Sequence, residues 1–414
     1  MKRSRTTSTS TSLKRSRIAS TNTITVPGFK FAGVACGIKK GKKDLALIVC
    51  ERPATAAALF TTNQVQAAPV VVGRERIKKG KLQAVVVNSG NANACTGAQG
   101  LRDAESMCRL AGRHLGIEGA KVLPSSTGVI GVPLPMERIR SGIEHAAAIL
   151  SVEGFASAAE AIQTTDRFSK VSAAYCRLGG KKVTVAGMAK GAGMIAPNVA
   201  TMLAYVLTDA NVQLSCLRRI LRESASETFN AVTVDGDMST NDTVLLMANG
   251  LAGNSAVRPG SGDESVFAGA VERVMRELAL KLVEDGEGST KVVEVRVEKA
   301  RSAQVARQIA FVIANSKLVK TAFYGADPNF GRILAAIGYA GVPVRPEKIR
   351  VLINNVVVVA RGAGVDASEK QAAQIMQRPS FTVRVVLNLG QASASVWTSD
   401  LTHEYVRINS AYRS

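Results

Sequence analysis

The feature that most constrains this chain is an abrupt change of amino-acid composition within residues 187–210. Residues 187–197 hold three glycines and a single cation, Lys190, whereas residues 202–207 form an apolar run of strand length. An apolar strand entered from a glycine-rich segment belongs in the core of a globular domain. Hydrophobic residues make up 46% of the chain and aromatic residues only 4%, so we expect an α/β core that is packed from small side chains.

Thr201 lies between the glycine-rich segment and the apolar run. A threonine hydroxyl is a weak nucleophile unless a base lies beside it, and the α-amine of an N-terminal threonine, with a pKa of about 8, is such a base. Thr201 is internal, so this chemistry requires a break between Ala200 and Thr201. The upstream glycines allow the tight backbone that a break needs, and Pro197 prevents a continuous helix. On the pattern alone, the alternative is a glycine turn that leads into a core strand, with Lys190 in solvent.

The net charge of +21 at pH 7 raises the question of nucleic-acid binding. Residues 1–43 hold eleven lysines or arginines and no acidic residue, so a large part of the excess charge lies at the N-terminus. The rest of the sequence is mildly basic and offers few aromatic side chains for base stacking. We therefore predict no nucleic-acid partner, and binding through the basic N-terminus is kept as an alternative that salt-dependent binding would reveal.

Residues 1–23 are predicted to form a disordered basic extension. Residues 1–20 are rich in serine and threonine and lack an apolar segment, which argues against a secretory signal. We expect a cytoplasmic protein, and the alternative is a mitochondrial or plastid protein whose residues 1–20 are a transit peptide. No apolar run has the length of about 18 residues that a membrane span needs, so no membrane partner is expected.

Metal and cofactor chemistry are not indicated by the sequence. The six cysteines form no CxxC pair, and the three histidines lie far apart, which is typical of reduced thiols in an intracellular protein. Three aspartates within residues 234–243 lack the EF-hand spacing, so we expect this loop to cap backbone groups and brace a cavity. No GxxxxGK[ST], GxSxG or HExxH motif occurs. We therefore expect neither a metal nor a cofactor.

Two polar segments follow predicted strands and are candidate ligand sites. Residues 88–97 form a loop of small polar residues at the end of a strand, where ligands often bind. Residues 124–131 are predicted to form a Ser-Thr-Gly turn in which Thr127 and Gly128 could direct a hydroxyl and a backbone N–H at an oxyanion. Such turns are common, so this second signal is weak by itself.

A glycine-rich loop at residues 250–262 is predicted to divide two lobes. The apolar spacing around it predicts regular elements on both sides. Helices are expected at residues 135–150, 214–230 and 265–283, and strands are expected at residues 82–87, 182–186, 202–207 and 351–359, among others.

Residues 190–203 read Lys-Gly-Ala-Gly-Met-Ile-Ala-Pro-Asn-Val-Ala-Thr-Met-Leu. This string closely resembles the self-cleavage site of the ornithine acetyltransferase family, also known as the glutamate N-acetyltransferase or ArgJ family. The resemblance extends over residues 24–414 through separated motifs that occur in the family's order. These motifs lie at residues 88–97, 124–131, 164–166, 234–243, 285–291 and 324–332.

The resemblance implies a layered α/β fold of sheets and helices, related in architecture to the N-terminal-nucleophile hydrolases. It also implies self-cleavage between Ala200 and Thr201. Cleavage would leave an α chain, folded over residues 24–200, and a β chain of residues 201–414. Two copies of each chain would form an α2β2 heterotetramer.

The resemblance further implies a role for individual residues. Thr201 would be the nucleophile, and Thr127 and Gly128 would form the oxyanion hole. The C-terminal tail would fold back onto the site, and residues 324–332 would lie near it. A lysine suits a substrate carboxylate, and a glutamate suits an ammonium. Substrate contacts are assigned to Thr164 (with Thr165 as the alternative), Lys190, Thr201, Glu287, Asn409 and Ser414.

The implied activity is an acetyl transfer in arginine biosynthesis. The acetyl group of N2-acetylornithine would pass to Thr201 and then to glutamate, giving ornithine and N-acetylglutamate by ping-pong chemistry. Acetyl-CoA as a further donor is left open. The alternative enzyme class is a self-cleaving amidase or peptidase that uses the same threonine and passes the acyl group to water.

Overall fold

A computed structural model describes residues 24–196 and 202–411. Within these ranges the chain forms two β-sheets with flanking helices. The first sheet contains β1 (Phe29–Val34), β2 (Leu45–Phe60), β3 (Lys81–Asn91), β4 (Val122–Val129), β5 (Lys170–Leu178), β6 (Lys181–Lys190), β7 (Leu203–Thr208) and β8 (Thr243–Ala248). The second sheet contains β9 (Val292–Ala300), β10 (Arg350–Ile353), β11 (Val356–Ala360), β12 (Ala363–Gly364), β13 (Ser380–Val386) and β14 (Ala392–Ser399). The helices are α1 (Ala68–Ile77), α2 (Gly97–Leu115), α3 (Met136–Ala148), α4 (Phe155–Ala161), α5 (Leu214–Glu227), α6 (Gly262–Glu284), α7 (Ala303–Asn315), α8 (Lys317–Tyr324), α9 (Phe330–Gly338), α10 (Glu369–Met376) and α11 (His403–Ala411).

The first sheet has the strand order β4-β3-β2-β8-β7-β6-β5, and β1 pairs with β2. The pairs β3–β4 and β7–β8 are parallel, and the other pairs are antiparallel. Every residue of β7 and β8 is buried, as expected for central strands that are covered on both faces. Ala204 and Val206 pack with α5 and α6 on one face, whereas Leu203, Tyr205 and Leu207 pack on the other face in a cluster that includes Phe155 of α4.

The second sheet has the order β12-β11-β10-β13-β9-β14 and encloses a separate apolar core with α7, α9 and α10. It meets the first layer at β14, where Trp397 lies against Arg276 of α6 and its carbonyl oxygen accepts a hydrogen bond from the N–H of Thr233. The helix α6 itself packs on β5 and β6 of the first sheet. The chain therefore enters the second sheet at Val292, and the prediction that residues 250–262 divide the lobes is wrong.

The predicted α/β class with layered sheets and helices is confirmed, and three local predictions need correction. Thr127 and Gly128 lie on β4 and not in a turn, because β4 pairs with β3 through Val129. The glycine-rich segment begins later than predicted, since β6 continues through Gly187 to Lys190. The run of residues 351–359 is a hairpin of β10 and β11, because Asn354 adopts a positive φ of 51° at its turn. No helix of the described ranges is long and apolar enough to span a membrane.

Candidate active site

The residues predicted from the family motifs converge on one cleft beside the start of β7. Ala200, Thr201 and Ser414 lie outside the described residues, so their assignments stay predictions. The cleft is lined by Ala92, Thr127, Gly128, Ile130, Thr164, Thr165, Lys190, Ala192, Gly193, Met194, Ser239, Thr240, Asn241, Glu287 and Asn409. All the predicted site residues that the structure describes are in this set.

Lys190 is the buried cation of the cleft. Lys190 is the last residue of β6 and pairs with Leu203 of β7. Leu203 follows Thr201 by two residues in the chain. The side chain of Lys190 is only 3% exposed, so the alternative that it lies in solvent is wrong. The ammonium donates hydrogen bonds to the hydroxyls of Thr164 (2.7 Å) and Thr127 (3.2 Å). Burial lowers the pKa of Lys190, and the neighbouring Asp166 opposes that shift.

Thr127 and Gly128 lie where β4 and β3 run parallel, with Gly128 beside Gly90. Gly128 adopts a φ of 133°, and a Cβ atom at this position would collide with the backbone of Gly90 and Asn91. Only glycine therefore allows the two strands to approach so closely here. The backbone of this strand end faces the cleft, which is the placement that an oxyanion hole requires. The oxyanion role itself stays a prediction.

Thr164 is held by a buried charge cluster that the sequence did not reveal. Asp166 accepts hydrogen bonds from the N–H of Thr164 (2.9 Å), the N–H of Gly191 (2.7 Å) and the ammonium of Lys170 (2.6 Å). Burial alone would raise the pKa of Asp166, but Lys190 and Lys170 outweigh it and lower the pKa to about 2. The only sequence signal was the Thr-Thr-Asp string: Lys170 follows Asp166 by four residues at the start of β5, but nothing nearby marks Asp285 as its other partner.

Both candidate threonines of that string line the cleft. The hydroxyl of Thr164 is the one that accepts the Lys190 hydrogen bond. Thr164 therefore belongs to the same polar cluster as Lys190 and Thr127, which favours it over Thr165 as the substrate contact.

The loop at residues 234–243 braces the cleft, as predicted. Asp235 accepts hydrogen bonds from the N–H groups of Met194 (2.6 Å) and Ile195 (2.8 Å), and the hydroxyl of Tyr405 on α11 donates to it at 3.3 Å. Burial raises the pKa of Asp235 to about 6. Asn241 donates to the carbonyl oxygens of Ala92 (2.7 Å) and Ser126 (2.8 Å). The loop thus ties the segment before the predicted cleavage site to β4 and to the C-terminal helix.

Glu287 and Asn409 form the anionic side of the cleft. Glu287 is anchored by its N–H, which donates to the carbonyl oxygen of Ala192 at 2.8 Å. Its carboxylate accepts a hydrogen bond from the side-chain amide of Asn409 on α11 at 2.8 Å. A Cβ atom on Gly193 would collide with this carboxylate, so any larger residue there would displace Glu287 from its present position. The prediction that the C-terminal tail folds back is confirmed through Ala411.

Residues 324–332 do not line the cleft around Lys190, although the ring of Tyr324 contacts His403 at the start of α11. Asp327, Asn329 and Phe330 line a separate cleft of the second layer together with Asp366 and Glu369. Within this segment, the side chain of Asn329 caps the N-terminus of α9 by accepting a hydrogen bond from the N–H of Arg332. In the described ranges, no group of three or more histidine, cysteine, aspartate or glutamate side chains is arranged to hold a metal ion.

Comparison with known proteins gives consistent matches over nearly the whole chain. The sequence model of the ArgJ family matches residues 30–414. The arginine biosynthesis bifunctional protein ArgJ of Geobacter sulfurreducens is 51% identical over 392 residues, which are 94% of this chain and 100% of that protein. The protein of the same name from Symbiobacterium thermophilum is 49% identical over 395 residues, which are 94% of this chain and 98% of that protein.

Solved structures also match parts of the chain. An arginine biosynthesis bifunctional protein ArgJ from Bacillus halodurans matches with a TM-score of 0.49 and 42% identity, covering 50% of this chain and 98% of that chain. The ornithine acetyltransferase of Mycobacterium tuberculosis, crystallised in complex with ornithine, matches with a TM-score of 0.38 and 40% identity, covering 42% of this chain and 92% of that chain.

Proposed function

Because the chain belongs to the ArgJ family and is therefore an acyltransferase of arginine biosynthesis, we propose that it transfers the acetyl group of N2-acetylornithine to glutamate. The products are ornithine and N-acetylglutamate. The observation that carries the proposal is the charge pattern of the cleft beside β7. A buried ammonium lies on one side of it, and an anchored carboxylate lies on the other.

That charge pattern fits the shape of an N2-acetylated diamino acid. Its α-nitrogen is an amide, so its charges are an α-carboxylate at one end and a side-chain ammonium at the other. Lys190 receives the carboxylate, with Thr164 completing the contact. Glu287 receives the ammonium, oriented by Asn409. Both charged groups of the protein are in place before substrate binds, so little reorganisation is needed.

The enzyme forms by self-cleavage. Thr201 Oγ attacks the carbonyl carbon of Ala200, the resulting ester is hydrolysed, and the chain separates into residues 1–200 and residues 201–414. The freed α-amine of Thr201 then accepts the proton of its own hydroxyl. Two copies of each product chain assemble as α2β2.

Turnover proceeds through an acetyl-threonine. The Thr201 hydroxyl attacks the acetyl carbonyl, and the backbone of Gly128 with Thr127 stabilises the oxyanion. Ornithine leaves, and the amine of glutamate attacks the ester to release N-acetylglutamate. No metal or cofactor takes part. The relatives are named bifunctional. A second assay should therefore use acetyl-CoA as the acetyl donor and glutamate as the acceptor.

The test begins with a denaturing gel of the purified active enzyme. Two chains of similar size are expected, and Thr201→Ala should give one intact chain of 43.5 kDa without activity. Initial rates at several glutamate concentrations should give parallel double-reciprocal lines. A single chain in active enzyme, turnover by Thr201→Ala, or intersecting lines would each contradict the proposal. Acetate release that exceeds N-acetylglutamate formation would indicate the amidase alternative.

A further inference from the structure

The self-cleavage reaction lacks an assigned proton carrier. In later turnover the α-amine of Thr201 takes the hydroxyl proton. Before cleavage that nitrogen is part of the amide with Ala200, so it has no lone pair available as a base. The first reaction must therefore use another group, and this inference rests on the proposed self-cleavage.

Asp242 is the acidic side chain that the described structure places at the start of β7. In the parallel pair of β7 and β8, Leu203 lies beside Thr243, so Asp242 lies beside the residue before Leu203. Its Oδ1 atom accepts a hydrogen bond from the N–H of Met202 at 3.1 Å. That N–H belongs to the peptide that Thr201 and Met202 share. Asp242 is thus fixed one residue from the predicted reactive hydroxyl and amide.

Among the described residues, the second oxygen of Asp242 is buried and has no hydrogen-bond partner of ordinary geometry, and the hydroxyls of Ser239 and Thr61 lie near enough to oppose the rise in its pKa. The residue is 1% exposed, so water does not satisfy this oxygen from the outside. Burial raises the pKa of Asp242 well above its usual value, and the Met202 N–H opposes the shift. A buried, half-satisfied carboxyl is costly, and such groups are concentrated at functional sites.

A purely structural role does not require an acid here. An asparagine could accept the same hydrogen bond from Met202 through its own oxygen, without the cost of a buried carboxyl. What the carboxyl adds is an exchangeable proton. The charged side chain that faces it is Lys190 of β6, and the hydroxyl-bearing residues Thr61 and Ser239 lie near it from the end of β2 and the loop before β8.

We propose that Asp242 carries the proton between the hydroxyl and the amide nitrogen of Thr201 when the Ala200–Thr201 bond is cut. Oγ adds to the Ala200 carbonyl carbon, and in the tetrahedral intermediate one oxygen of the neutral carboxyl takes the hydroxyl proton while the other oxygen gives its proton to the Thr201 nitrogen. The C–N bond then breaks, and the protonated nitrogen leaves as the amine. The carboxyl ends in its starting state, and the products are the ester and the free α-amine.

The test is the rate of cleavage of newly made chain. Wild type, Asp242→Asn and Asp209→Asn are produced by cell-free synthesis with a radiolabel pulse, and the loss of the intact chain is followed on denaturing gels. Asp209 is the matched control, because it is also buried with a raised pKa and caps one backbone N–H, that of Thr184 at 2.8 Å. Loss of a proton-transfer group should slow the Asp242→Asn chain at least about 100-fold, and Asp209→Asn should stay within a few-fold of wild type.

A second measurement does not depend on any variant folding. Cleavage by the neutral carboxyl predicts that the wild-type rate falls as pH rises through the raised pKa of Asp242. A rate that climbs steadily to alkaline pH would overturn the inference, as would Asp242→Asn cleaving as fast as wild type or no more slowly than Asp209→Asn. If wild type itself stays intact, the proposed self-cleavage fails instead.

Discussion

Lys170 holds together the buried cluster on which Thr164 depends, so Lys170→Met should lower both stability and substrate affinity. The Lys170 ammonium bonds to Asp166 at 2.6 Å and also to Asp285. The side chains of all three residues are fully buried. Methionine keeps most of the volume of lysine but removes the charge, so it leaves two carboxylates without the cation they share.

The remaining contacts of the two carboxylates set the size of the effect. Removing one partner of a buried ion pair costs about 3–5 kcal/mol in the free energy of unfolding. Asp285 would keep Arg167 at 2.9 Å, whose side chain is 55% exposed, and Asp166 would keep the N–H groups of Thr164 and Gly191. We therefore expect the lower end, about 3 kcal/mol. With about 2.1 cal/mol/K of unfolding entropy per residue over a chain of this length, Tm should fall by about 3–4 °C.

Scanning calorimetry at a fixed protein concentration measures the change in Tm. The control is Lys78→Met, which removes an exposed ion pair with Glu75 (2.7 Å) and should cost at most about 0.5 kcal/mol. The KM for N2-acetylornithine should rise in Lys170→Met alone, because an Asp166 carboxylate without Lys170 is held less firmly and positions Thr164 less precisely. If the two variants melt within about 1 °C of each other, where about 3 °C is expected, the buried cluster contributes no net stability and the reasoning is refuted.

Three further changes test the cleft and its charges. Glu287→Gln should raise the KM for N2-acetylornithine about 10–100-fold, because a hydrogen bond to a charged group contributes about 1.5–3 kcal/mol; steady-state kinetics with an unchanged KM would place the ammonium elsewhere. Asn409→Ala removes the 2.8 Å contact with Glu287 and should raise the same KM by about 2–10-fold without lowering Tm, since Asn409 packs in no core. Asp166, with its folded pKa lowered to about 2, stabilises the fold by about 2–3 kcal/mol above pH 4 and loses this contribution as pH falls towards 2. Urea titrations at several pH values should show that loss in wild type and not in Asp166→Asn.

Short-range signals in the sequence were sufficient for most elements of the first sheet. The apolar run after Thr201 became β7 (Leu203–Thr208), and the periodic run after residue 262 became α6. Both patterns reflect burial, which a strand or helix imposes on its own residues. The hairpin of β10 and β11 was missed because apolar residues stand on both sides of its two-residue turn, Asn354-Asn355. The eight apolar positions therefore resemble one continuous strand.

The polar partners of the site were harder to predict, because hydrogen bonds within the fold join residues far apart in sequence. Lys170 and Asp285 are separated by 115 positions, and Asp235 and Tyr405 by 170. Nothing in the local composition around either pair marks its partner. The family motifs supplied Lys190, Glu287 and Asn409, but only the structure shows which side chains hold them.

The topology of the first sheet explains how the proposed cleavage between Ala200 and Thr201 would leave the fold intact. β7 lies between β6 and β8, and its six residues pair with β6 from Leu203 opposite Lys190 to Thr208 opposite Val185. β8 in turn pairs with β2 from Thr243 opposite Phe60 to Ala248 opposite Thr55. Both outer neighbours of the β7–β8 pair therefore belong to the segment before residue 200. A chain that began at Thr201 would contribute the two middle strands of a sheet whose flanking strands belong to the other product. Backbone hydrogen bonds on both sides would therefore keep the two products together after the proposed cleavage.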